Sequence, residues 1–194
     1  MNKQKTLTGK DLINIGIYTA LLFIITMIIS MLGFIPIFMP LLAVLPPFFG
    51  AIPYMLFLTK VHKFGMITIM SLIVGLLLFI TGMGIYPFLC SAITGLIADW
   101  VYKTGNFKSS KKAVLSSGIF MIVDWSNFIP LFTNIDKYFS TRPNFDQNYV
   151  TTLSRLMPLW MCPVLFASAF IFGILGALFA KVLLKKHFKR AGIA

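Results

Sequence analysis

The run DLINIGIYTALLFIITMIISM, residues 11–31, decides the class of this protein. Its one charge, Asp11, stands at its first position, where a carboxylate complements a helix N-terminus. The rest is apolar or neutral, and the run is long enough to cross a hydrocarbon core of about 30 Å at about 1.5 Å per residue. Lys10 precedes it, and Gly33 and Pro36 close it before an uncharged loop. Outward along the chain, comparable stretches lie at about 37–58, 64–81, 88–101, 112–132 and 156–184. The fold class read from this pattern is all-α: an integral membrane bundle of six transmembrane helices forming one domain over residues 1–194.

The charges between these runs set the orientation. Of 17 Lys and Arg residues, all but Lys137, Arg142 and Arg155 fall in alternate gaps. The basic segments are Lys3, Lys5 and Lys10; then Lys60 and Lys63; then Lys103, Lys108, Lys111 and Lys112. The last is Lys181, Lys185, Lys186, Lys189 and Arg190. Lys and Arg accumulate in short cytoplasmic loops, which places both termini in the cytoplasm and a multi-pass chain in the cell membrane. A composition of 58% hydrophobic and 11% charged residues, with no Glu, leaves too little charge to cover a soluble protein's surface. The net charge of +12 follows the topology, so no nucleic-acid partner is expected. The basic loops instead face anionic headgroups of the lipid bilayer or an acidic cytoplasmic partner.

Some stretches depart from plain spans. Pro40, Pro46, Pro47 and Pro53 cannot share one straight helix, so the second run is expected to be broken or kinked. The fourth, Phe88 to Val101, is short for a full crossing, with Asp99 and Trp100 at its inner end within reach of water. The sixth is too long for a perpendicular crossing; either it tilts, or Pro158 and Pro163 break off an outer turn. Between the fifth and sixth lies the longest loop, Thr133 to Ser154, on the outer side. It mixes Tyr138, Phe139, Phe145 and Tyr149 with polar and charged residues. A loop this long is usually functional or disordered, and the aromatics argue against disorder. The first run is too long for a cleavable signal, and no small-residue cleavage pattern follows it.

Asp124 carries the most information of any single residue. It is placed near the middle of the fifth span, about 18 Å of helix from the inner end. A carboxylate at that depth must face protein or water. Asp124 and Asn127 are three apart and share a face. Either they line a solute cavity, or Asp124 is paired internally, with a tyrosine hydroxyl or broken backbone of the second span. Arg155 either meets Asp124 or an acidic group of a solute, or snorkels to headgroups. Trp125, Tyr86 and Trp160, with Met83, Met157 and Met161, suit a ring-bearing solute. An interfacial aromatic belt accounts better for Tyr86 or Trp160 taken singly, and the cavity for Trp125, because it adjoins Asp124.

Gly16-x-x-x-Ala20 on the first run, and Gly173-x-x-x-Ala177 and Gly176-x-x-x-Ala180 on the last, permit close helix approach. Cys90 and Cys162 lie outside any metal or redox spacing and read as small core residues. No phosphate-binding loop is present. His62 and His187 belong to basic segments, so no intramembrane hydrolase site is foreseen. The expectation is therefore no enzyme activity, no metal and no cofactor.

The chain also resembles the substrate-binding S components of energy-coupling factor (ECF) transporters, most closely the Trep_Strep or MptD-type group. The likeness rests on Gly9-Lys10-Asp11-Leu12-Ile13-Asn14-Ile15-Gly16-Ile17-Tyr18-Thr19-Ala20, Met31-Leu32-Gly33-Phe34-Ile35-Pro36 and Ile52-Pro53-Tyr54-Met55-Leu56-Phe57. Lys63-Phe64-Gly65-Met66-Ile67-Thr68 and Gly95-Leu96-Ile97-Ala98-Asp99 extend it. The resemblance implies six helices, an outer-half pocket under outer loops that act as lids, and import of a small organic solute. It also implies an EcfT-type membrane coupling subunit bound to two cytoplasmic ATPases. S components contact that subunit through an Ala-x-x-x-Ala-like motif on the first helix. Gly16 and Ala20 match its spacing, with Gly replacing the first Ala. The solute itself is left open, vitamin-like and tetrapyrrole-like rings both fitting. A stand-alone secondary transporter or channel using Asp124 as a proton or cation site is the alternative, and a pocketless structural subunit a third reading.

Overall fold

The computed structural model describes residues 7–185 and 189, so Lys3, Lys5, Lys186, His187 and Arg190 lie outside the described residues. Nine α-helices are present among the described residues: α1 (Gly9–Ser30), α2 (Leu45–Leu58), α3 (Met66–Leu78), α4 (Ile85–Thr104), α5 (Ser110–Ser126), α6 (Ile129–Thr133), α7 (Ile135–Ser140), α8 (Gln147–Leu156) and α9 (Met161–Leu183). Among the described residues, five segments are long and apolar enough to cross a membrane: Gly9–Phe34, Pro36–Leu58, Met66–Met83, Ile85–Thr104 and Met161–Leu183. α5 has 17 residues, about 26 Å of helix, and packs between α4, α9 and α2.

The prolines write the breaks. Pro36–Ala43 is a tight 3-10 segment, and α2 begins after Val44 with Pro46 and Pro47 in its first turn, where no backbone donor is missed. α4 corrects the short fourth span. It starts at Ile85 and runs 20 residues, because Pro87 falls in a first turn and stops nothing. The fifth span is also corrected, ending at Ser126 rather than near Phe132. Pro130 has no N–H for the Ser126 carbonyl, so the chain turns and restarts as α6. Of the two alternatives for the sixth, the chain breaks: α8 ends at Leu156 and α9 begins at Met161, with Pro158 between. The outer loop is likewise helical, being made largely of α7 and α8. Asn134 Oδ1 accepts from Lys137 N (2.9 Å) at the start of α7, and Asp146 Oδ1 from Tyr149 N (2.7 Å) at the start of α8.

α1, α3 and α5 begin, and α2, α4 and α9 end, at the lysine-bearing end of the bundle. Tyr54, Phe57, Met70, Tyr102 and Phe120 fill the core between them and are fully buried or nearly so. Small and hydroxyl side chains bring the helices together. A Cβ at Gly176 would stand 2.2 Å from the Phe48 carbonyl oxygen, so α9 lies directly on α2. Gly173 meets Gly118 and Met121 of α5 in the same way. Ser116 Oγ donates to the Ala98 carbonyl (2.9 Å), which makes Tyr54 the donor in its 2.7 Å bond to Ser116. Outward, α1 exposes Ile13, Ile17, Ile24 and Ile28, and α9 exposes Leu175, Leu178, Phe179 and Val182. Such apolar surface is stable against lipid, not water.

A second, smaller core sits at the end away from the lysines. Phe139, Tyr149, Val150 and Leu153 of α7 and α8 close over Ala43, Phe128 and Leu165. Phe139, Phe145 and Tyr149 stack among themselves with centroids 4.6–5.6 Å apart, and Phe145 lies flat against Phe34. The Tyr149 hydroxyl donates to the Gly33 carbonyl, tying α8 to the end of the first span. Burial pushes that phenol up to about 12, so it remains a donor throughout the neutral range.

Candidate functional site

Between the two cores lies a cavity of about 390 Å³. α1 contributes Thr26, Met27 and Ser30; the 3-10 segment, Met39 and Leu42; the end of α3 and the turn after it, Leu78 and Met83. α5 and its break give Asp124, Asn127 and Phe128. The cover is Tyr138, Phe139, Thr141, Arg142, Asn144 and Phe145, with Phe34 from the first span. Three methionines and four phenylalanines supply apolar wall, and polar side chains of α1, α5 and the cover are set among them.

Asp124 is not at mid-helix as expected but in the last turn of α5, since that helix stops two residues later. The site is therefore at the end of the bundle, under the cap. The Asp124 carboxylate makes no hydrogen bond and no ion pair among the described residues. The helix break places Asn127 beside it: Asn127 Nδ2 donates to the Asp124 carbonyl (3.1 Å), while Asn127 Oδ1 is buried with no hydrogen-bond partner. The Asp124 carboxylate thus lines the cavity with no protein donor, and Asn127 Oδ1 beside it is sealed inside the protein without one. Buried acceptors in that condition cost free energy until something donates to them.

The other residues singled out from the sequence lie elsewhere. Trp125 lines the α5–α9 seam, where its Nε1 donates to the Cys162 carbonyl (2.9 Å) and its ring meets Phe166 edge-on at 5.0 Å. Successive helical positions point about 100° apart, so adjoining Asp124 in sequence carries Trp125 away from its cavity. Tyr86, in the first turn of α4, and Trp160, just before α9, are exposed and outside the lining, as is Arg155 on α8. Arg155 makes no ion pair with Asp124. Met157 packs in the cap core, and of the three methionines grouped with these residues only Met83 faces the cavity. Gly16 and Ala20 are exposed, and a Cβ at Gly16 would meet nothing within 4 Å.

The cation at the cavity is Arg142, which the sequence reading did not select. Its guanidinium donates to the Tyr138 and Gly82 carbonyls and lies 3.6 Å from the Tyr138 ring centroid. No carboxylate pairs with it among the described residues. The signal was present, since Arg142 is one of only three basic residues off the charge pattern. Among the described residues no group of His, Cys, Asp and Glu could hold a metal.

Asp99 also departs from expectation. It does not reach water but is fully buried on α4. Its Oδ2 accepts from Gly65 N (2.7 Å), Thr68 N (3.2 Å) and Thr68 Oγ1 (3.1 Å). Gly65, at φ +100°, precedes α3 and has no side chain to cap it, so a carboxylate from the neighbouring helix caps it instead.

No curated protein and no solved structure matches the chain. A family model described as hypothetical bacterial integral membrane protein (Trep_Strep) matches residues 9–190. With five segments able to span a bilayer and lipid-suited outer faces, the chain belongs to the Trep_Strep family of bacterial integral membrane proteins and is a multi-pass protein of the cell membrane.

Proposed function

We propose that the chain is the solute-binding S component of an ECF-type importer. In this reading α5 joins the five longer segments to make six spans, both termini are cytoplasmic, and the lysine-bearing end faces inward. The cavity then opens toward the cell exterior, with α7 and α8 as its lid. The observation that carries the reading is the roofed cavity of about 390 Å³ with an unpartnered carboxylate in its wall. A purely structural subunit would have no use for an unsatisfied acidic group beside a void. The volume, toward the lower end of the roughly 300–1,000 Å³ range for organic ligand sites, suits a vitamin-sized solute. A tetrapyrrole would require the lid to move outward. Solute capture and delivery need no reaction catalysed by this chain; ATP is hydrolysed by two cytoplasmic ATPases through an EcfT-type coupling subunit. The open Gly16/Ala20 face of α1 supports docking there, because nothing in the bundle covers it.

Co-expression with a coupling subunit and its ATPases tests this. A stable complex and ATP-dependent uptake are expected, both lost in Gly16→Leu with the monomer still folded. A monodisperse chain that never associates would sink the reading. The unpartnered Asp124 also suits a cation-coupled transporter. Uptake by the chain alone in liposomes, driven by an ion gradient, would favour that alternative.

A further inference from the structure

The cavity walls hold one acidic group and one basic group that are not paired with each other. The Asp124 carboxylate, which no protein group meets among the described residues, offers only acceptors. Arg142 offers donors, held at the lid by the Tyr138 and Gly82 carbonyls. An internal salt bridge would have cancelled the two charges, yet the fold holds them on separate elements, α5 and the segment after α7. Phe34, Phe128, Phe139 and Phe145 also line the space, and the faces of such rings attract cations.

We propose that the solute is zwitterionic: a nitrogen-centred cation bearing N–H groups seats against Asp124 and Asn127, and an acidic group of the same molecule reaches Arg142. This rests on the solute-capture reading and names the class of molecule for that site. The N–H groups donate to the Asp124 carboxylate, the acidic group neutralises the guanidinium, and the Met and Phe side chains of the lining take the apolar body between. A neutral or purely anionic solute would leave Asp124 buried without a counter-charge. Because the lining charges sum to zero, a solute of zero net charge with separated ends matches them best.

The test uses the purified full chain in nanodiscs and four probes sharing one ring: 4-(aminomethyl)benzoate, benzylamine, benzoate and benzyl alcohol. Binding is followed by saturation-transfer NMR up to millimolar concentrations. The zwitterion should bind tightest and benzylamine next, each about tenfold or more above the other two. Asp124→Asn should erase the preference for amines, and Arg142→Gln the advantage of the zwitterion over benzylamine. Asn127→Asp, which adds a negative charge without removing an acceptor, should strengthen both amines. Lys137→Gln, an exposed lid charge outside the lining, should leave the order unchanged. Benzoate or benzyl alcohol equal to the amines, no probe binding, or an unchanged order in Asp124→Asn with no gain for the amines in Asn127→Asp overturns the proposal. If the chain still assembles with the coupling subunit, such a result removes only the charge assignment. The expected order in a chain that never assembles removes only the import reading.

Discussion

Asp99 and Asp124 are both carboxylates set within helices of one bundle, at opposite ends, and the bundle treats them oppositely. At the lysine-bearing end Asp99 is fully buried, and one of its oxygens takes three donors from the start of α3. At the capped end Asp124 takes none, and the nearby Asn127 Oδ1 takes none either. The first end supplies donors to its charge at the start of α3, although Asp99 Oδ1 is buried without a partner, and gains helix-dipole stabilisation from it. The second bears an uncompensated acid beside a void. A buried carboxylate alone therefore does not mark a site. What distinguishes the two is whether the protein itself supplies the donors, and that points to the capped end for ligand chemistry.

Asp99→Ala should give the largest effect. It strands the Gly65 and Thr68 N–H groups inside the bundle and should cost about 3 kcal/mol, read as thermal unfolding in detergent. Asp124→Ala, by contrast, should change stability by less than about 1 kcal/mol, because no protein hydrogen bond is lost. Equal tolerance at the two positions would break the comparison. Next, Gly176→Val should destabilise by about 1–3 kcal/mol or more, since its Cβ meets the Phe48 carbonyl. Gly16→Val, on the open face of α1, should leave the melting temperature almost unchanged. Tyr149→Phe removes the donor to Gly33 at the capped end and should cost about 1 kcal/mol. Faster amide exchange confined to α7 and α8 would show that the cap opens independently of the bundle. The smallest effect is expected from Asp11→Asn at the lysine-bearing end. Its 2.6 Å pair with Lys63 is partly exposed, and the loss should stay below about 1 kcal/mol and shrink with added salt.

Much of the bundle was legible in the chain, and the misreadings share one cause. Apolar length marked the helices, and the four prolines of the second run marked its break. The fifth span was drawn too long because Ile129-Pro130-Leu131-Phe132 is as apolar as the helix before it. Hydropathy does not register a missing N–H. That error put Asp124 at mid-helix instead of in the last turn of α5. The fourth span was drawn too short for the converse reason: Pro87 reads as a breaker but sits in a first turn, where it is tolerated. For the site, Asp124 and Asn127 stood out as polar groups in an apolar helix, whereas Trp125 was chosen by adjacency, and helical geometry turns neighbours apart. Arg142 and Arg155 are both off-pattern charges, and nothing local in the sequence tells which of them reaches the cavity.

By itself the sequence determined a helical membrane protein, which end of each helix carries the lysines, and which residues are too polar to face lipid. Those follow from local properties: the free energy of transferring a side chain into hydrocarbon and the backbone's need for its own hydrogen bonds. Only the tertiary structure decided that Asp99 has donors and Asp124 has none, that α9 spends its small residues on α2 and α5 while those of α1 stay open, and that Arg142 rather than Arg155 reaches the cavity. Each of these depends on atoms brought together from distant parts of the chain. Whether a buried polar group is satisfied is a property of its partners, which no local pattern contains.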